Sequence, residues 1–325
     1  SDQTVGFVIG TFSAVALISR FISGPLADRK GRKLAFLTGL VSCGVAGLAY
    51  FLPLGLAGAY LGRGLQGFGE ACLYTGCAAW AVETAGLHRS GRALGFVSTG
   101  VWGGISTGPL IGNLLGSFER AAAMQTIMAI AAFALAYRIH EDHQPHPEAG
   151  RFTGLTAQHL FSGLSVGFVN IHYPVITGFL ILHLTQRGGG GTTAFSAYAA
   201  TVVLSRFFLG GLPDRLSPAY TYYTGLAFMA IGVAMLAFTI GPTMSIAGAA
   251  ILGFGFSFPW SSVASVILKQ TPTHRRGSTM GVLSAFYDTF VGSSSFAAGA
   301  LAARYGYTSA FLMALAGVSL AAVVG

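Results

Sequence analysis

Eleven stretches of about 20 mostly apolar residues run the length of the chain, separated by short polar breaks. This pattern leaves few ways to fold. Inside a bilayer every backbone N–H and C=O must bond within its own segment or a closed sheet, so such stretches are read as spanning helices. They cover residues 5–26, 34–52, 56–82, 93–115, 121–137, 153–184, 192–212, 219–240, 245–268, 277–303 and 308–325. A transmembrane β-barrel would need alternating segments of about ten residues, and the sequence has none. Of the 325 residues 53% are hydrophobic and only 9% charged, against roughly 25% charged in a soluble domain. That excludes a soluble enzyme, a disordered chain and a disulfide-rich secreted module. The fold class expected is an all-α, multi-pass membrane protein.

Charge placement orients the spans. Loops on one side carry Arg29, Lys30, Arg32, Lys33, Arg89, Arg92, Arg138, Arg151, Arg215, Lys269, Arg275 and Arg276, and the other side carries Arg120, Arg187 and Arg304. Cytoplasmic loops are enriched in Lys and Arg, so the first group is read as cytoplasmic. The net charge of +8 is topology, because no basic patch with interleaved aromatics suggests nucleic acid. Cys43, Cys72 and Cys77 lie in apolar runs without CxxC spacing, so neither a disulfide nor a zinc set is expected. His140, His143 and His146 fall in a polar, Pro-containing linker, where a metal site is not expected. No Walker loop, HExxH or GxSxG pattern is present. No enzyme activity and no cofactor are expected.

Displaced by 186 residues, the sequence matches itself. Ser19-Arg20-Phe21 recurs as Ser205-Arg206-Phe207, and Gly24, Leu26, Asp28 and Arg29 recur as Gly210, Leu212, Asp214 and Arg215. Gly67-Phe68-Gly69 recurs as Gly253-Phe254-Gly255, and His88, Arg89, Gly91, Gly95 and Ser98 recur as His274, Arg275, Gly277, Gly281 and Ser284. Two parallel halves follow, 1–139 and 153–325, joined by a cytoplasmic linker over 140–152. The span 153–184 has no counterpart, since its mate would fall before Ser1. The expectation is a full-length protein of six plus six helices, with its first helix absent from this sequence.

Gly24-Pro25-Leu26-Ala27-Asp28-Arg29-Lys30-Gly31-Arg32-Lys33 resembles the loop signature between helices 2 and 3 of the major facilitator superfamily. Its degenerate copy, 210–215, sits where that family places one, between helices 8 and 9. Residues 63–69 (Arg63-Gly64-Leu65-Gln66-Gly67-Phe68-Gly69) resemble the family's helix-4 motif. Residues 104–112, with Gly104, Gly108, Pro109 and Gly112, resemble the helix-5 motif of its proton-driven exporters, with Asn113 where a second glycine often stands. Glu70 and Asp288 are similar to the bacterial arabinose-efflux and drug-exporter type. The resemblance covers essentially the whole chain. It implies the major facilitator fold of two pseudo-symmetric six-helix bundles. It also implies a gating latch built from Gly24, Asp28, Arg29, Gly31 and Arg32 and, in the copy, Asp214 and Arg215. The helix-5 residues would pack as a seal against proton leak.

Asp28 can accept from a helix N-terminus or pair with an arginine, and both suit a carboxylate. Glycines at 100, 103, 104, 108 and 112 would let helices approach closely, and Pro109 would bend its helix. Intramembrane charges are costly unless paired or wetted, and so mark function. Arg63, Gln66 and Glu70, at i, i+3 and i+7, share one helix face, and Asp288 lies at a depth similar to Glu70. Glu70 either couples protons or forms a structural ion pair with Arg63. Arg20, Asp28, Arg29, His88 and Arg89 have repeat mates and are assigned to scaffold and gates. Snorkelling to the interface is the equal alternative for Arg20 and Arg206. The positions matching Arg63, Glu70 and Asp288 hold Ala249, Phe256 and Trp102, which points to a special role for the three charges. Asn170-Ile171-His172-Tyr173-Pro174 predicts a break in its helix. His172 is either a substrate or proton group or a satisfied core histidine. Trp102 and Trp260 either wall a cavity or serve packing.

The functional expectation is a secondary transporter working by alternating access as a monomer. It would export a small molecule against proton entry, with protons and membrane lipid as its other partners. The alternatives are a proton symporter or facilitator for uptake, and a non-transporting receptor or scaffold.

Overall fold

The structure is a computed structural model and describes residues 2–142, 156–188 and 190–325. Most of the linker 140–152, with His143 and His146, lies outside the described residues. The α-helices are α1 (Asp2–Lys30), α2 (Arg32–Ala49), α3 (Leu56–Ala85), α4 (Ser90–Leu115), α5 (Phe118–Arg138), α6 (Ala157–Asn170), α7 (His172–Thr185) and α8 (Gly191–Leu209). They continue as α9 (Leu212–Arg215), α10 (Pro218–Ala237), α11 (Pro242–Phe256), α12 (Pro259–Gln270), α13 (Arg276–Tyr305) and α14 (Tyr307–Val324). No strand occurs among the described residues. Short 3₁₀ turns, Leu87–Arg89 and Thr273–Arg275, lead into α4 and α13.

Two of the expected spans are broken helices. α6 and α7 are separated at Ile171, and α11 and α12 at residues 257–258. Each break follows from proline chemistry. Pro174 and Pro259 have no N–H to give to the carbonyl four residues back, at Asn170 and Gly255. Tighter bonds fill the gap, Ile171 N–H to Phe168 O at 3.3 Å and Ser257 N–H to Phe254 O at 3.2 Å. With each broken pair counted as one crossing, eleven membrane-length segments result.

Among the described residues, eight segments are long and apolar enough to cross a membrane on length and composition alone. α3 and α13, at 30 residues each, have the length but not the hydropathy. They carry Glu70 and Asp288. Polar residues are tolerated at this length of helix because neighbouring helices cover them.

The chain forms two compact units. The first contains Ser1–Thr84, Thr107–Gly154 and Thr271–Asp288, and the second Ala85–Ser106, Leu155–Gln270 and Thr289–Gly325. α4 and α13 therefore each contribute one half to either unit. In the first unit α2 and α3 cross at glycines: a Cβ on Gly39 would lie 2.6 Å from Gly69 O, and one on Gly69 would lie 3.0 Å from Gly39 O. The second unit repeats the crossing at the equivalent positions, where a Cβ on Gly225 would lie 2.9 Å from Gly255 O. Small residues at a membrane helix crossing bring backbones into direct contact. The core of the second unit is larger and holds Ile176, Leu180, Met229, Leu252 and Phe311, all buried.

Candidate functional site: a shared arginine and its aromatic counterpart

Within the first unit, α1, α3 and α13 converge on one buried guanidinium. Arg20 Nη2 donates to Glu70 Oε1 at 2.9 Å and Oε2 at 2.7 Å, and Arg20 Nε donates to Asp288 Oδ2 at 3.0 Å. Nη1 reaches Ala71 O at 3.4 Å, and the Tyr74 ring lies 5.6 Å from the guanidinium carbon. One turn along α1, Ser23 Oγ donates to Thr75 Oγ1 at 3.2 Å. The arginine side chain is 3% exposed, Asp288 14% and Glu70 36%. The cation is therefore sealed in, while Glu70 keeps an accessible edge. A buried cation costs several kcal/mol unless it is paired, and here two carboxylates pair it. One positive and two negative charges leave the cluster with one acid more than Arg20 needs as a counter-ion.

This arrangement corrects two sequence-based alternatives. Glu70 does not pair with Arg63, because an i, i+7 spacing separates them by about 10 Å along the helix, beyond ion-pair reach. Nor does Arg20 snorkel, since it is buried between carboxylates from two other helices.

The second unit carries the same arginine with different partners. Arg206 lies 5.4 Å from the Trp102 ring centroid and 4.9 Å from that of Phe256, and its Nη2 donates to Phe256 O at 3.4 Å. Phe256 and Trp102 are the repeat equivalents of Glu70 and Asp288. The geometry around the guanidinium is thus kept, while two π faces replace two acids. A desolvated cation over aromatic rings gains about 2 kcal/mol. Trp102 also meets the rings of Tyr173 at 5.5 Å and Tyr198 at 5.9 Å. His172 is buried in the same box. Its Nδ1 lies 2.7 Å from Val169 O, its Nε2 3.2 Å from Tyr198 Oη, and its ring 4.4 Å from Phe256. Both ring nitrogens are therefore occupied. Asn170, at the end of α6, donates Nδ2 to Val166 O at 2.7 Å, and its buried Oδ1 has no partner among the described residues. Trp260 is buried in the first turn of α12.

Arg63 and Gln66 build a separate polar network in the first unit. Gln66 Oε1 accepts from Tyr50 Oη at 3.1 Å and from Arg63 Nη1 at 3.0 Å, and Gln66 Nε2 donates to Gln125 Oε1 at 2.6 Å. Gln125 continues the chain to Cys43 O at 2.7 Å. Arg63 stacks over Phe12 at 4.9 Å, and no carboxylate pairs with it among the described residues. Tyr50, Gln125 and Phe12 carry no local motif in the sequence and were not expected here.

The aspartates of the repeated loop motif form two symmetric caps. Asp28 Oδ1 accepts from Gly277 N–H at 2.7 Å, and Oδ2 accepts from Ser278 N–H at 2.7 Å and Ser278 Oγ at 2.6 Å. In the second unit Asp214 Oδ1 accepts from Gly91 N–H at 2.9 Å and Oδ2 from Arg92 N–H at 2.8 Å. Of the two roles open to Asp28, the structure takes the helix N-terminus. Each acid holds the start of a helix from the other sequence half, α13 for Asp28 and α4 for Asp214. The helices touch beside each cap. A Cβ on Gly24 would lie 2.8 Å from Ser278 Cα, and one on Gly95 would lie 2.8 Å from Gly210 Cα. Gly31 has φ 105°, a conformation that strongly favours glycine, and so lets α2 begin directly after α1. Arg32 Nη1 pairs with Glu83 Oε2 at 2.6 Å and Nη2 donates to Thr273 O at 2.6 Å. Glu141 caps α2 by accepting from Arg32 N–H at 2.6 Å and Lys33 N–H at 3.1 Å. Arg29 and Arg215 are exposed.

The helix-5 stretch differs from expectation. Among the described residues, a Cβ on Gly100, Gly103, Gly104, Gly108 or Gly112 would meet nothing within 4 Å, so no tight helix crossing is seen at these glycines there. The side chains of Pro109 and Asn113 lie outside the described residues. No cluster of three or more His, Cys, Asp or Glu side chains suited to a metal ion occurs among the described residues.

Comparison with known proteins agrees with this geometry. The family model of the Major Facilitator Superfamily matches residues 1–288 and 155–325. An uncharacterised MFS-type transporter of Salmonella typhimurium is 28% identical, over 100% of this chain and 87% of its own length. One from Burkholderia mallei is also 28% identical, over 100% and 84%. Among solved structures, the human organic anion transporter MFSD10 aligns with a TM-score of 0.82 at 13% identity, covering 98% of this chain and 83% of its own. The Escherichia coli fucose:proton symporter FucP aligns at 0.79 and 13%, covering 99% and 90%. The last two show a shared fold. With its multi-pass helices, repeated aspartate caps and intramembrane charges, the chain belongs to the Major Facilitator Superfamily of membrane transporters.

Proposed function

We propose that this transporter exports a small molecule across a bacterial inner membrane in exchange for protons, in the manner of the arabinose-efflux and drug-exporter type. Two bundles, 1–139 with five of the helices and 153–325 with six, would rock about the linker 140–152, the protein acting as a monomer. The glycine crossing and the acid cap, each present twice, support two equivalent halves. The observation that carries the coupling is the sharing of Arg20 between Glu70 and Asp288. A proton arriving at the accessible edge of Glu70 neutralises one acid and leaves the other to hold Arg20. Loss of that proton to the cytoplasm restores the surplus charge. Arg63, which has no acid partner among the described residues, and Gln66 would face the substrate and favour one with an acidic or zwitterionic group. In the second unit, Asn170 and His172 at the helix break, with Trp102 and Trp260, are the further residues proposed to serve substrate.

The test is proton-driven flux in proteoliposomes carrying Glu70→Gln, Asp288→Asn or both. Each single variant is expected to lose uphill transport while keeping exchange of substrate down its own gradient. Full proton-coupled transport by both single variants would sink the assignment. A second reading, proton symport for uptake, is favoured by the fold shared with FucP, whose description is a proton symporter. Acidification of the vesicle lumen or of the medium on adding substrate distinguishes the two.

A further inference from the structure

The second unit holds a basic cavity of about 500 Å³ at its predicted cytoplasmic end. His88, Arg89 and Arg92, at the entry to α4, face Gly211, Asp214 and Arg215 across it, and Phe207, Phe208 and Leu209 form its remaining wall. Asp214 is the acid in this lining, and both its oxygens are already taken by the N–H groups of Gly91 and Arg92. No carboxylate pairs with Arg89, Arg92 or Arg215 among the described residues. The stem of Arg92 lies along Gly211, 3.6 Å from where a Cβ would stand, and its guanidinium is 5.6 Å from the Phe96 ring. Three guanidinium groups are thus gathered on one opening, and one of them is stacked in place.

In the first unit the basic loop is met by acids at one place, where Arg32 pairs with Glu83 and Glu141 accepts from the Arg32 N–H. Positive-inside topology asks only for basic loops. It does not ask that cations converge on a cavity.

The apolar wall indicates where the counter-charge comes from. Phe208 is 72% exposed and Phe207 53% exposed on the last turns of α8, a helix apolar enough to span the membrane. Such side chains face acyl chains, and a lipid lying over them would carry its headgroup to the level of the three arginines. Arginine matches the phosphate group with bidentate hydrogen bonds, and basic pockets between helices on this side of a membrane bind acidic lipid headgroups.

We propose that this cavity is a binding site for an acidic phospholipid, with the phosphodiester held by Arg89, Arg92 and Arg215 and the acyl chains running over Phe207 and Phe208. The site is independent of the direction of transport. The experiment is thermal unfolding of the purified full chain in neutral detergent with added phosphatidylglycerol, phosphatidylcholine or inorganic phosphate. Phosphatidylglycerol is expected to raise Tm by a few degrees through preferential binding to the folded state. Phosphatidylcholine and phosphate are expected to give little. The Arg89→Gln/Arg92→Gln variant should lose the phosphatidylglycerol increment, and Arg138→Gln/Lys269→Gln, which removes the same charge outside the cavity, should retain it. An equal rise with phosphate, no rise specific to phosphatidylglycerol, or equal loss in both variants overturns the proposal. Should the arginine variant not fold, photo-crosslinkable phosphatidylglycerol on the wild-type chain decides. Adducts concentrated at residues 87–96 and 207–215 support the site, and adducts spread evenly over the basic loops refute it.

Discussion

Arg20 and Arg206 stand 186 residues apart at equivalent places, yet one is held by two acids and the other by two aromatic rings. The exchange has measurable consequences. Arg20→Met strips the cation from two nearby carboxylates and is expected to cost about 3–5 kcal/mol of stability. Adding Glu70→Gln and Asp288→Asn to that variant should recover most of the loss, because no uncompensated buried charge remains. Arg206→Met removes a cation–π contact of about 2 kcal/mol and places a thioether against aromatic rings, so its loss should be smaller. Thermal unfolding of the purified variants checks the order. That Glu70 and Asp288 are special was legible in the sequence from their unmatched repeat positions. That they share one arginine was not, because helix periodicity places residues on a face and says nothing about which neighbouring helix turns toward it.

α4 and α13 each begin with N–H groups that have no partner inside the helix, and an aspartate from the other sequence half supplies one. Asp28→Asn should weaken the α13 cap and Asp214→Asn the α4 cap, each by about 1 kcal/mol. Faster amide hydrogen exchange should follow at residues 277–279 in the first variant and at 91–93 in the second, each leaving the other cap unchanged. Gly24→Val brings side-chain atoms into the backbone of α13, where even a Cβ would lie 2.8 Å from Ser278 Cα. It should hold these helix ends apart, read as raised alkylation of a cysteine placed at Ser278. The breaks after α6 and α11 were legible at Pro174, which was singled out, and could have been read equally at Pro259. The helix-5 glycines taught the opposite lesson. Small residues permit a close crossing, and only a neighbour in the right place makes one.

Across the whole molecule, the distribution of Lys and Arg assigns sides. Single cysteines at Arg29, Arg89, Arg215 and Lys269 should be shielded from an impermeant thiol reagent added outside intact cells. Cysteines at Arg120 and Arg187 should react. Labelling of the first set from outside would invert the topology and with it the direction of every proposed proton step. The basic cavity of the second unit belongs here too. Its cations were visible as topology signals in the sequence, but their convergence depends on the turn Leu87–Arg89 and the short helix Leu212–Arg215 meeting at one end of that unit.

Span number, sidedness, the tandem repeat and the identity of the unusual charges follow from the sequence alone, because hydrophobic length, loop charge and internal similarity are local or additive properties of the chain. Who pairs with whom came from the tertiary structure: Arg20 with Glu70 and Asp288 instead of Arg63 with Glu70, Asp28 with the start of α13, and Phe256 and Trp102 around Arg206. Ion pairs and helix caps act over a few ångströms, and residues 50 to 268 positions apart reach that distance only once the helices have packed.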